Sequence, residues 1–129
     1  MEHWLGKKAD LIYALLRFFA GTMYACHGAQ KLFGVLGGHQ MLNDPEMLAA
    51  GVIEFFGGVL IAIGLQASIA GFIASGQMAV AYFQAHFPKG FLPIENKGEL
   101  AVVYCFLFLY VAARGSGALS VDGLLHKRA

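Results

Sequence analysis

Ionisable and amide side chains interrupt the apolar stretches of this chain at Arg17, His27, Lys31, Glu54, Gln77, Gln84, His86 and Glu99. A histidine beside a carboxylate can exchange the proton that accompanies a redox step. A lysine beside a carboxylate can form an ion pair that either braces a fold or receives a ligand. His27, Glu54, His86 and Glu99 are also acceptable ligands for a divalent ion, but Lys31 in the same cluster opposes a second cation, so no metal is expected. Glu54 is the hardest of these to place as surface. It is flanked by Ile53, Phe55 and Phe56, and its side chain is too short to reach water easily. We expect it to pair with Lys31 or with His27, either as a brace or as part of a substrate site.

The elements that position these groups follow from composition. Of the 129 residues, 58% are hydrophobic and 13% are charged, against about 45–50% and about 25% in soluble domains. A chain this short cannot hide that much apolar surface alone, so its expected solvent and first partner is the lipid bilayer. The formal net charge is +1, which supplies no field for nucleic acid. Disorder and a disulfide-stapled secreted scaffold are excluded on the same grounds. Cys26 and Cys105 fit no metal or redox motif and read as buried small hydrophobes. A functional thiol pair at similar depth is a lesser alternative.

Four apolar runs are long enough to cross a bilayer at about 20 residues each: residues 11–33, 47–65, 67–87 and 97–114. The stretch 47–87 would run about 60 Å as one helix, so it must fold back, and Gly64-Leu65-Gln66 is the break with turn chemistry. Asp44-Pro45 is an N-cap followed by a first-turn proline. The expected fold is an all-α, polytopic membrane four-helix bundle, a single domain over 1–129. Lys7 and Lys8 precede the first run, but Arg17 interrupts it and no small-residue cleavage site follows, so an uncleaved first span is expected. Lys7, Lys8, Arg114, Lys127 and Arg128 fall on one side and Lys31, Lys89 and Lys97 on the other. That bias puts both termini in the cytoplasm of an inner-membrane protein. Small residues at Ala67, Gly71, Ser75 and Ala79 favour close helix packing in lipid.

This topology sets depth. Glu54 lies about 10 Å and His27 about 9 Å below the outer boundary, with Lys31 one turn above His27. His86 and Glu99 sit at the outer ends of the third and fourth spans. The candidate ligand-binding cluster is therefore His27, Lys31, Glu54, His86 and Glu99, in the outer leaflet. Arg17 and Gln77 are expected to be structural intramembrane residues, with Asp10 and Asp122 as acids on the side of Arg17. No catalytic residue can be assigned.

The ordered set of motifs resembles the DoxX family of small four-helix membrane proteins. It comprises Arg17-x3-Gly21, His27-Gly28-x2-Lys31-Leu32-Phe33-Gly34 and Gly51-x2-Glu54-x2-Gly57-Gly58. It continues with Ala85-His86, Gly90-Phe91, Asn96-x-Gly98-Glu99-x4-Tyr104 and Gly115-x-Gly117-x2-Ser120-x-Asp122. The resemblance covers roughly residues 10–123. It implies a subunit of a quinone-linked oxidoreductase, one that helps bind a quinone or a small sulfur species. No haem, iron–sulfur or flavin motif is encoded, so electrons would come from a membrane or peripheral redox partner protein, and the chain would not be a complete enzyme alone. A binding or transport protein and a non-catalytic scaffold subunit are the alternatives, with a homo-oligomer compatible with each.

Overall fold

The computed structural model describes residues 1–128, so Ala129, the end of the domain read from the sequence, lies outside the described residues. The side chains of Lys127 and Arg128, used in the charge count above, also lie outside them. The described chain is all helical, in the order α1 (Glu2–Gly6), α2 (Ala9–Phe33), α3 (Pro45–Ile63), α4 (Ala67–Ala81), α5 (Pro93–Asn96), α6 (Glu99–Arg114) and α7 (Val121–Arg128).

Local chemistry explains most of the boundaries. Asp44 caps α3 by accepting from the backbone N–H of Glu46 at 3.0 Å, with Pro45 in the first turn, where its missing N–H costs nothing. Gly64, at φ 73°, ends the helix in the left-handed conformation that glycine adopts without strain. The N-terminus of α4 is capped from far away in sequence. Asp122 accepts from the N–H of Gln66 at 2.8 Å, and the Ser116 hydroxyl from that of Ala67 at 3.2 Å. The third apolar run does not continue as α-helix to residue 87. It widens into a π-turn over Tyr82–His86 and tightens into a 3-10 turn over Phe87–Lys89, where Pro88 lacks the N–H an α-helix needs.

The four longer helices pack in antiparallel succession. A Cβ on Gly58 would lie 2.5 Å from both the Ala25 nitrogen and the Gly21 oxygen, so the backbones of α2 and α3 touch and admit no side chain there. Gly71 brings α4 onto α6 in the same way, with its would-be Cβ 2.9 Å from the Phe108 oxygen. Between the two pairs sits an aromatic core. Tyr104 and Phe108 stack at 5.2 Å, and Tyr24 meets Phe108 at 4.7 Å between ring centroids. One end, here called lower, carries α1, α7 and the turn between α3 and α4. The upper end carries the 34–44 loop and residues 82–98.

Arg17 organises the lower end. Its side chain is buried, and the guanidinium donates to the carbonyls of Ile61 (2.9 Å), Leu119 (2.6 Å) and Ser116. The acids near it serve elsewhere, Asp122 on the α4 cap and Asp10 in an ion pair with Arg114 at 3.0 Å. Of the four spans expected from the sequence, α3 alone among the described helices is long and apolar enough to cross a membrane by length and hydropathy, with a mean hydropathy of 1.9, while α4 and α6 have 15 and 16 residues.

Candidate functional site

At the upper end α2, α3, α4 and α6 surround a cleft of about 650 Å³, within the range of small-molecule sites. Ile53, Ile73, Val80 and Leu100 are among its apolar walls, and Tyr24, His27, Lys31, Glu54 and Gln77 are among its polar lining.

The polar side chains form a continuous chain of hydrogen bonds. Lys31, in the last turn of α2, donates to both carboxylate oxygens of Glu54 at 2.6 Å. Its position also sets a positive charge at the negative end of a helix dipole. Glu54, on α3, is 1% exposed, whereas Lys31 is 22% exposed. Gln77, on α4, donates to Glu54 Oε2 at 3.0 Å and accepts from the Tyr24 hydroxyl at 2.7 Å. The carboxylate is thus held by an ammonium group and an amide. The Lys31–Glu54 pair is neutral as a whole, and the third N–H of the ammonium remains for a ligand.

His27 stands beside this network on the same side of α2. Its ring meets Tyr104 edge-on at 6.5 Å, and its nitrogens have no hydrogen-bond partner among the described residues. His86 is half-buried at the mouth, with Nδ1 3.2 Å from the carbonyl oxygen of Asn96. Asn96 is buried and pins the surrounding segment. Its amide donates to the Tyr82 hydroxyl at 3.0 Å and to the Gly90 carbonyl at 2.9 Å, while its oxygen accepts from the Gly98 N–H at 2.8 Å. Because the π-turn is wider than an α-turn, the three consecutive residues Gln84, Ala85 and His86 all line the cleft.

The structure therefore brings together His27, Lys31, Glu54 and His86 of the candidate cluster. It leaves Glu99 exposed in the first turn of α6, outside the lining. Gln77, expected to be structural, is part of the network itself. Tyr24 was not singled out from the sequence, although Tyr24, His27 and Lys31 share one helical face at spacings of three and four. Asn96 was read only as part of a motif. No group of three or more metal-ligating side chains occurs among the described residues. Cys26 is exposed and Cys105 lies against Ser75, its sulfur 3.5 Å from the hydroxyl; both are free thiols.

Comparison with known proteins agrees with the motifs. The DoxX family model matches residues 12–87. A Haemophilus influenzae protein described as uncharacterized is 40% identical over 131 residues, covering 96% of this chain and 98% of that one. No solved structure matches. With the family match spanning more than half of the sequence and this relative covering nearly all of it, the chain belongs to the DoxX family, a family of small membrane proteins.

Proposed function

We propose that the chain is a four-span inner-membrane bundle with both termini in the cytoplasm, and that its cleft binds a quinone headgroup as part of a redox assembly. The observation that carries this reading is a cleft with apolar walls that ends at a neutral Lys31–Glu54 pair beside the unpartnered His27 ring. Quinone carbonyls accept hydrogen bonds and carry no charge. A lysine whose charge is already balanced and a histidine free on both nitrogens suit such a ligand. A small sulfur anion is the second reading. It rests on the family resemblance and lacks an uncompensated cation beside Glu54. In the quinone reading the chain supplies binding and proton exchange through His27, and a partner protein supplies electrons.

Two measurements test the proposal. Protein purified in mild detergent, extracted with solvent and examined by mass spectrometry is expected to carry quinone. A tail-less benzoquinone is expected to raise its melting temperature. His27→Ala removes a ring that makes an edge contact with Tyr104 but no hydrogen bond among the described residues, so the fold is expected to persist while affinity falls about tenfold, or 1.4 kcal/mol. Absence of both co-purified quinone and a thermal shift overturns the reading. For topology, Cys26 and Cys105 are replaced by alanine and single cysteines are introduced at His3 or Lys89. A membrane-impermeant thiol reagent is expected to label the Lys89 position on intact spheroplasts and the His3 position only after permeabilisation. Equal labelling of both in intact spheroplasts overturns the four-span arrangement.

A further inference from the structure

Glycine inside a helix is destabilising by roughly 0.5–1 kcal/mol relative to alanine, and most helical glycines here repay that through close backbone contact. Gly76 does not. It lies in the middle of α4, and nothing stands within 4 Å of the place its Cβ would occupy. It faces the cleft, on the flank of α4 that also carries Ile73 and Val80, which are 50% and 53% exposed.

The opposite wall of this flank is α3. Near the Gly64–Gln66 turn the two helices are closed, with Ile61, Ala67, Ala70 and Ala74 buried. Further up, Met47, Ala50 and Ile53 on α3 and Gly76 and Val80 on α4 line the cleft yet remain exposed or half-buried. The facing flanks of the hairpin are therefore covered near the turn and uncovered toward the upper end, where they line a side slot between α3 and α4. The slot is apolar, whereas the inner end of the cleft is polar and neutral in sum.

We infer that this slot is a lateral portal for a ligand carrying a long hydrocarbon tail, with Gly76 as the residue that keeps it clear. The inference rests on the quinone reading and specifies its class: a prenylated, uncharged headgroup that arrives through the lipid rather than from water. The headgroup sits against Lys31 and His27, and the tail leaves between Gly76 and Ala50 into the hydrocarbon layer. A tail-less compound uses the same polar end without occupying the slot. Gly76 is thus a specificity-determining position and takes no part in proton exchange.

The test compares two probes, a tail-less benzoquinone and a prenylated benzoquinone, on full-length protein in phosphatidylcholine nanodiscs. Gly76→Leu places a branched side chain in the slot. It is expected to weaken the prenylated probe about tenfold and leave the tail-less probe within about twofold. Val80→Trp, one turn further on at an exposed position, is the second variant and is expected to discriminate in the same direction. If the parent protein binds neither probe, the quinone reading itself fails. If it binds both and neither variant weakens the prenylated probe selectively, the portal fails while the quinone reading stands. Equal loss of both probes in both variants also overturns the portal, because it puts Gly76 and Val80 against the headgroup.

Discussion

Arg17→Met is expected to cost at least about 3 kcal/mol, because hydrogen bonds to charged groups contribute roughly 1.5–3 kcal/mol each and orphaned buried carbonyls are penalised. That is a large share of the about 5–15 kcal/mol that holds a small domain together. The methionine matches the arginine stem in bulk but donates to none of the carbonyls of Ile61, Ser116 and Leu119. If α2 spans the membrane as proposed, removing its charge should ease insertion, so a loss of stability would run against the insertion effect and report on the hydrogen bonds. Arg17→Lys, a point charge with a different geometry, is expected to recover only part of the loss. The measurement is thermal melting in detergent, with Arg114→Met as the control. Arg114 pairs with an exposed Asp10, and its removal is expected to change melting little. Equal melting of Arg17→Met and Arg114→Met would remove Arg17 from its role as the fastener of the lower end.

Lys31→Met is expected to be the second most damaging change. It leaves the Glu54 carboxylate, which is 1% exposed, with only the amide of Gln77, and breaking a buried pair from one side costs about 3–5 kcal/mol. The reverse change, Glu54→Gln, should cost less, since Lys31 is 22% exposed and can turn toward the cleft. The informative variant is the double replacement Lys31→Met with Glu54→Gln. It buries no charge and is expected to melt above Lys31→Met alone. A double variant no more stable than Lys31→Met would sink the claim that the uncompensated carboxylate is what destabilises. If the double variant is also folded but no longer binds a quinone probe, the pair has a ligand role beyond bracing.

The residues differ in how far their roles could be read in advance. The break at Gly64-Leu65-Gln66 and the cap at Asp44-Pro45 carry their chemistry in local sequence, and both appear as helix boundaries. The level of Glu54 and Lys31 follows from counting 1.5 Å per residue, which is why both alternatives for the partner of Glu54 sat at the right height. Height says nothing of direction around a helix. Glu99, grouped with them by depth alone, is exposed and outside the cleft lining, while Tyr24, hidden in an apolar run, closes the network through Gln77. Arg17 shows a second limit. A buried cation invites a search for an acid, but the acceptors here are backbone carbonyls that a helix end and a loop left free. The helix α7 is too short for its periodicity to register. Its start rests on Ser120, whose hydroxyl accepts from the Gly123 N–H at 3.0 Å.

The fastening of the lower end also sets an order of events during biosynthesis. Arg17 and its partner Ser116 are 99 residues apart, and ribosomes add about 5–20 residues per second. The Arg17 guanidinium on α2 must therefore wait roughly 5–20 s for acceptors that follow α6. The N-terminus of α4 waits on the same segment, since Ser116 and Asp122 cap it. A nascent chain that stalls after Arg114 holds all four long helices yet lacks most of what satisfies this arginine. Closure of the lower end is therefore a late event, which waits for the carbonyls of Ser116 and Leu119 to be made.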